Sequence, residues 1–166
     1  VGALRGAVVA PSPLPLPPGY TLRRATLRDL RALYRLERLI FPRDAYPYFD
    51  LALLFLTPGV INLKIAAPDG SLAAFVCATR GLARDRAWIV TLGVSPAHQR
   101  RGLGAALLAR AEARIGRPCI RLTVRESNQP AIRLYQRAGY AVIERKIGYY
   151  RDGEAGLVME KRIGAK

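Results

Sequence analysis

The sequence predicts a mixed α/β domain, with a central twisted sheet of about seven strands flanked by about four helices. Seven apolar, β-branched runs of strand length are interspersed with four stretches whose apolar residues recur at helical spacing. The pairs Asp69-Gly70 and Asp152-Gly153 each sit between two strand-like runs and mark hairpin turns. The order is β-α-α-β-β-β-α-β-α-β-β, which makes a mixed sheet with helices on both faces. At 166 residues there is room for one domain with a real core and not for two.

Pro11 to Pro18 reads as extended chain with no fold of its own, so residues 1–19 are set apart as a Pro-rich tail and 20–166 as one domain. Tyr20 to Arg24 is a first strand. Thr26-Leu27-Arg28-Asp29 resembles a capping box, and the helix it opens has apolar positions Leu30, Leu33, Tyr34, Ile40 and Phe41 before Pro42 stops it. A shorter helix covers Tyr48 to Leu56, ahead of Pro58-Gly59. Strands follow at Val60–Ala67, Leu72–Thr79 and Trp88–Val94. After a polar loop, Ser95 to Arg101, Gly102-Leu103-Gly104 opens a helix with Leu103, Leu107, Leu108, Ala111 and Ile115 at helical spacing. Ile120 to Val124 is the next strand. Asn128 caps a short helix with Pro130 in its first turn and Gly139 as its stop. Val142–Tyr150 and Leu157–Lys161 form the last hairpin around Arg151-Asp152-Gly153-Glu154.

Composition narrows the class. Apolar residues make up 51% of the chain, without a long uninterrupted run, which predicts a soluble globular protein with no membrane segment. Val1 to Ala10 has one arginine and too short an apolar run for a secretion signal. Cys77 and Cys119 fall inside apolar strands and read as reduced thiols of a cytoplasmic protein. No grouping of residues resembles a metal site. The net charge is +15, spread along the chain without a basic tail; it steers anionic ligands and leaves ribosome or nucleic-acid proximity open.

The strand–loop–helix from Trp88 to Ile115 points several backbone N–H groups at one spot. The helix dipole adds partial positive charge there, and Arg100 and Arg101 add full charges, so a phosphate-bearing ligand is expected. It is not a dinucleotide fingerprint, because Leu107 stands where the third glycine belongs, and no G-x-x-x-x-G-K-[ST] string exists.

Gln99-Arg100-Arg101-Gly102-Leu103-Gly104 fits Q/R-x-x-G-x-G/A and resembles the coenzyme A pyrophosphate loop of the GNAT superfamily of acyl-CoA N-acyltransferases. The run from Asn128 through Ala131 and Leu134-Tyr135 to Gly139-Tyr140 resembles the second signature of that superfamily, N-x-x-A-x-x-L-Y-x-x-x-G-Y. Leu36-Glu37 with Phe41-Pro42, the Leu122–Asn128 stretch and the Gly148–Glu154 hairpin are similar to RimI-type and archaeal protein N-terminal acetyltransferases. The resemblance spans roughly residues 20–162. It implies the GNAT fold, acetyl-CoA as donor and a protein or peptide N-terminus as acceptor. One position departs: such enzymes usually carry a glutamate base where this chain has Thr123, which cannot take a proton.

In this chemistry a neutral amine attacks the thioester carbonyl, an oxyanion forms and coenzyme A thiolate leaves. The resemblance implies that Arg100 to Ala105 (Arg101, Gly102, Leu103 and Gly104 between them), preceded by Gln99, hold the pyrophosphate. It has the pantetheine arm running along Leu92, Gly93 and Val94, with the Val94 N–H polarising the carbonyl. Asn128 faces the cofactor as well as capping its helix. Tyr135 is the acid for the departing sulfur, phenol and thiol having neighbouring pKa values of about 10 and 8.5. Phe41, Pro42, Tyr46, Tyr149 and Tyr150 are expected to flank the peptide entrance. Glu37 lies on the apolar stripe of the first helix, where an acid is either buried with a partner or aimed into the cleft, and it is the candidate base; Glu126 and Glu144 are weaker ones. His98 reads as a surface residue. A small-molecule amine acetyltransferase and a catalytically weak nucleic-acid-associated protein of the same fold stay open as alternatives. The chain is expected to be a monomer or weak dimer.

Overall fold

The computed structural model describes residues 14–81 and 85–163. Seven strands form one sheet: β1 (Thr21–Arg24), β2 (Val60–Ala66), β3 (Leu72–Thr79), β4 (Arg86–Val94), β5 (Cys119–Arg125), β6 (Ala141–Lys146) and β7 (Gly156–Arg162). The helices are α1 (Leu30–Ile40), α2 (Tyr48–Leu56), α3 (Leu103–Ile115) and α4 (Gln129–Arg137). The sheet order is β1-β2-β3-β4-β5-β7-β6, all neighbours antiparallel except the parallel pair β4–β5.

Local signals mark the ends of α1 and α4. Ahead of α1 the Asp29 carboxylate accepts from the Thr26 N–H (2.8 Å) and hydroxyl (3.2 Å), so the expected box closes. Phe41 leaves helical geometry and caps α1, one residue earlier than its apolar period suggests. Asn128 Oδ1 accepts from the Ala131 N–H at 3.2 Å, and Gly139 turns the chain with φ +93°.

The period-2 strands sort their side chains between two layers. Leu63, Ile65, Val76, Ala78, Ile89, Ile120, Leu122 and Val124 pack under Leu103, Leu107, Leu108, Ala111 and Ile115 of α3 and Ile132 and Tyr135 of α4. Phe75 packs with Ala25, Leu33 and Leu36 on the α1 side. A bulge in β4 reverses this assignment: Ala78 pairs with Ile89 and Cys77 with Thr91, leaving Val90 as the extra residue. Before the bulge the odd residues Ala87 and Ile89 face α3. After it Leu92 and Val94 do, and Thr91 and Gly93 face α1.

Several element ends shift by one residue, and three differences from expectation are larger. The strand expected to run to Tyr150 stops at Lys146, because the chain turns through Gly148 at φ +63°. β4 starts at Arg86, two residues early, where it meets β5. The tail is partly docked: Leu16 packs half-buried on the main core and the Tyr20 N–H donates to Pro17 O at 3.2 Å. Residues 1–13 of the expected tail lie outside the described residues.

Candidate active site

The site grows from a gap in the sheet. β4 and β5 pair only at Arg86–Trp88 with Cys119–Arg121 and then separate. The Ser95 N–H donates to Ala73 O at 2.8 Å, so the neighbouring pair Ala74–Val94 is a non-hydrogen-bonded one. Leu92 and Val94, in the same phase, therefore aim their main-chain N–H and C=O away from β3 and into the gap. Gln99 Nε2 occupies Val94 O at 3.2 Å, leaving the Val94 N–H open.

A groove continues from this gap between the N-termini of α3 and α4. Of the residues expected at the donor, Leu92, Gly93, Val94, Gln99, Arg100, Gly102, Leu103, Gly104, Ala105 and Asn128 line it; Phe41 and Pro42 line its other end. Arg100 (φ +58°) and Gly102 (φ +77°) alternate with ordinary residues, which turns successive N–H groups inward as an anion-binding nest at the positive end of α3. Gly104 serves a different need. A Cβ there would meet Leu134 Cδ2 at 3.3 Å and Val94 Cγ2 at 3.5 Å, so its bareness keeps the passage between β4 and α4 open.

The expected catalytic groups sit behind this surface. Glu37 is 1% exposed on the inner face of α1; its carboxylate accepts from Thr91 Oγ1 at 3.1 Å and from the Tyr46 N–H at 3.5 Å. Burial pushes its pKa up to about 7, against the lowering effect of those two hydrogen bonds. The Tyr46 hydroxyl is also held protonated, first by burial and then by the charge of Glu37. Tyr135 is buried in the main core, edge-on to Tyr140, and burial raises its phenol to about 12. Neither Glu37 nor Tyr135 lines the groove itself, nor does Arg101, which is exposed.

The acceptor side is built around a residue that pattern reading passed over. Arg125, at the end of β5, grips Asp44 of the α1–α2 loop through both carboxylate oxygens (2.5 and 2.8 Å). It also binds Asp152 (3.0 Å) and Glu154 (2.5 Å) of the last hairpin and stacks 4.1 Å over the Tyr150 ring. Glu154 in turn accepts from the Ser127 N–H at 2.9 Å. One guanidinium thus ties together the two loops that flank the groove, and its partners hold it firmly protonated. Three of only 12 acids converge on it. That clustering is a tertiary fact with no local sequence signal. Thr91 was equally hidden, a β-branched residue in an apolar strand.

Tyr149 lies over Gly156, whose added Cβ would fall 2.9 Å from the Tyr149 ring and from Thr123 Cγ2. Thr123 therefore faces the α1 side, two residues before Arg125 and on the face that holds Glu37. The weaker base candidates are placed elsewhere. Glu126 is tied to Arg145 through two 2.7 Å bonds that hold its pKa down, and Glu144 stands exposed on edge strand β6. His98 is half-buried, with its Nδ1 2.9 Å from the Tyr20 hydroxyl.

An open main-chain donor, an anion nest and a buried carboxyl near neutrality are the parts an acyltransferase needs. The chain belongs to the Acetyltransferase (GNAT) family, whose profile it matches over residues 27–140. It is an acetyl-CoA-dependent N-acetyltransferase. It is 38% identical to the ribosomal protein bS18-alanine N-acetyltransferase of Salmonella typhimurium, over 78% of this chain and 86% of that one. It is 26% identical to an N-alpha-acetyltransferase of Saccharolobus solfataricus, over 87% and 93%. The crystal structure of the Escherichia coli ribosomal-protein-S18-alanine N-acetyltransferase superposes with a TM-score of 0.78 at 27% identity, covering 89% of this chain and 96% of that one. No helix among the described residues is long and apolar enough to cross a membrane.

Proposed function

We propose that the chain acetylates the N-terminal α-amine of a protein, with Glu37 as the base. The observation that carries this is the buried Glu37 carboxyl, held by Thr91 and Tyr46 with a pKa near 7. An α-amine titrates at about 8, only about one unit above that carboxyl, so moving its proton to Glu37 costs about 1.4 kcal/mol. A lysine ammonium at about 10.4 would cost about 4.6 kcal/mol by the same step. Relatives named for N-terminal acetylation support the same acceptor.

The groove residues fit acetyl-CoA, as the nest and the clear space at Gly104 indicate, and the bound donor supplies the thioester carbonyl that the amine attacks. The nest of Arg100 to Gly104 holds its pyrophosphate, and Leu92 to Val94 offer main-chain partners along its arm. The Val94 N–H polarises the carbonyl oxygen. Glu37, which does not line the groove, would take the amine's proton through water. Tyr135, at about 12, lies some 3.5 units above a thiol of about 8.5. Set behind the groove wall, its phenol is therefore suited to donate a hydrogen bond toward the sulfur more than to act as a full acid. Phe41, Pro42, Tyr46, Tyr149 and Tyr150, on the two loops tied by Arg125, frame the peptide's entry. Cys77, buried and pushed up to about 12, and Cys119 are free thiols, which supports action in the reducing cytoplasm.

The test is a peptide carrying both a free N-terminus and an internal lysine. After reaction with acetyl-CoA, tandem mass spectrometry should place the acetyl group on the α-nitrogen. Acetyl found on the lysine instead would sink this reading.

A further inference from the structure

The outer face of α1 is an arginine stripe. Arg31, Arg35 and Arg38 follow one another at i+4 and i+3, so they share the face opposite Leu30, Leu33, Leu36 and Glu37. Arg28, in the turn before α1, and Arg23 of β1 extend it. In β1, Arg23 pairs with Lys64 and Lys64 with Phe75, which packs on α1, so Arg23 lies on the same side of the sheet. All five are exposed. Among the described residues none of them makes an ion pair; Asp29, next to Arg28 in sequence, is taken by Lys64 and Thr26. Arg38 has one aromatic neighbour, with its guanidinium 5.9 Å from the Tyr34 ring centre.

Nothing in the fold asks for this arrangement. Like charges at i,i+4 weaken a helix by about 0.2–0.5 kcal/mol per pair. Cations at Arg28 and Arg31 also oppose the positive end of the α1 dipole. Most of the acids elsewhere are paired with Arg121, Arg125, Arg145, Lys64 and Lys161, and none, including the unpaired Asp50, Asp69 and Asp85, forms an ion pair with the stripe. An external polyanion would relieve the repulsion. Arg31 to Arg38 spans about 10 Å at 1.5 Å per residue. That length meets about three phosphates of one strand at about 3.4 Å of axis each.

We propose that the outer face of α1 binds the sugar-phosphate backbone of a nucleic acid. Arg38 follows Glu37 in sequence and projects about 100° from it around the helix, on the exposed side, so the contact would hold the nucleic acid at the outer wall of the acceptor side. A protein substrate assembled on that nucleic acid would then present its N-terminus at high local concentration. The chemistry read is phosphate geometry and charge, without base edges, so binding should be sequence-independent and strongly salt-dependent.

The test measures fluorescence-anisotropy binding of the full chain, saturated with acetyl-CoA so that the cofactor groove is filled. The probes are a short single-stranded RNA, a duplex RNA and a duplex DNA, each over a series of salt concentrations. Two variants with the same loss of charge are compared: Arg31→Gln/Arg35→Gln/Arg38→Gln on the stripe, and Arg24→Gln/Arg114→Gln/Arg145→Gln away from it. The stripe variant should bind about tenfold more weakly and flatten the log–log salt slope by about 2–3, while the control variant keeps the wild-type slope to within about one. Which probes respond tells RNA from DNA. Both variants should acetylate a free peptide at the wild-type rate, which verifies folding. If the stripe variant fails that check, Arg35→Gln alone should still lower the slope by about 0.7–0.9. Equal losses in the two variants, no binding to any probe, or displacement by polyglutamate with the same dependence on the stripe would each overturn the proposal. The last of these would point to an acidic protein.

Discussion

Glu37 and Thr91 meet across the gap between α1 and β4, the threonine hydroxyl donating to the carboxylate at 3.1 Å. They meet because of the bulge at Val90, which turns Thr91 toward α1; in a regular strand it would share the α3-facing side of Ala87 and Ile89. The contact satisfies an acid that would otherwise be buried with little support, and burial still leaves its pKa near 7.

A folded pKa raised from 4.5 to about 7 has a stability consequence. The native state holds a proton on Glu37 that the unfolded chain releases, so the favourable contribution is complete below about pH 4.5 and lost as pH rises through about 7. Glu37→Gln should therefore match wild type in acid and exceed it at pH 8, by on the order of 3 kcal/mol in urea melts. The same variant should lower kcat/KM about 10²–10⁴-fold at pH 7 and by less at high pH, where the amine is already neutral. No stability gain at pH 8 would mean that Glu37 titrates normally.

Arg125 is committed to Asp44, Asp152 and Glu154 and so positions the two acceptor loops. Arg125→Met should raise KM for peptide more than it changes the dissociation constant of acetyl-CoA, and should lower the melting temperature. Losing one member of a partly buried pair of this kind costs on the order of 3 kcal/mol. Arg125→Lys should recover little, because a lysine cannot hold Asp44 with two parallel bonds. Equal losses in peptide KM and donor affinity would show a merely general role.

Gly104→Val should fold and yet bind acetyl-CoA at least about tenfold more weakly, since its side chain would press on Leu134 and Val94 across the passage. Isothermal titration with coenzyme A reads this directly. Unchanged affinity in a folded variant would remove the passage between β4 and α4 from the donor site.

Tyr135→Phe should keep donor binding and lower kcat modestly, by about tenfold, as expected for a lost hydrogen bond of about 1.4 kcal/mol. Full turnover in that variant would reduce Tyr135 to its core contact with Tyr140.

Much of the fold was legible because its signals are local. Asn128 with Gly139, Thr26 with Asp29, and Gly102 ahead of an apolar helix each fix an element by their own hydrogen bonds or backbone angles. The end of β6 was misread because Ile147, Tyr149 and Tyr150 continue an apolar run that Gly148 in fact bends. The phosphate loop was legible for the same local reason as the caps. The Arg125 cluster and the Thr91 partner of Glu37 were not: the first joins Asp44 and Arg125, 81 positions apart, the second depends on a one-residue bulge.

The choice of acceptor separates this account from the lysine and small-molecule readings. Two peptides of one sequence should be compared at pH 7, one with a free N-terminus and no lysine, the other N-terminally blocked and carrying a lysine. The free α-amine should give the higher kcat/KM by a factor of about 100 or more, as the pKa gap of about 2.4 units between the two amines requires. A blocked lysine peptide turned over as fast or faster would contradict it.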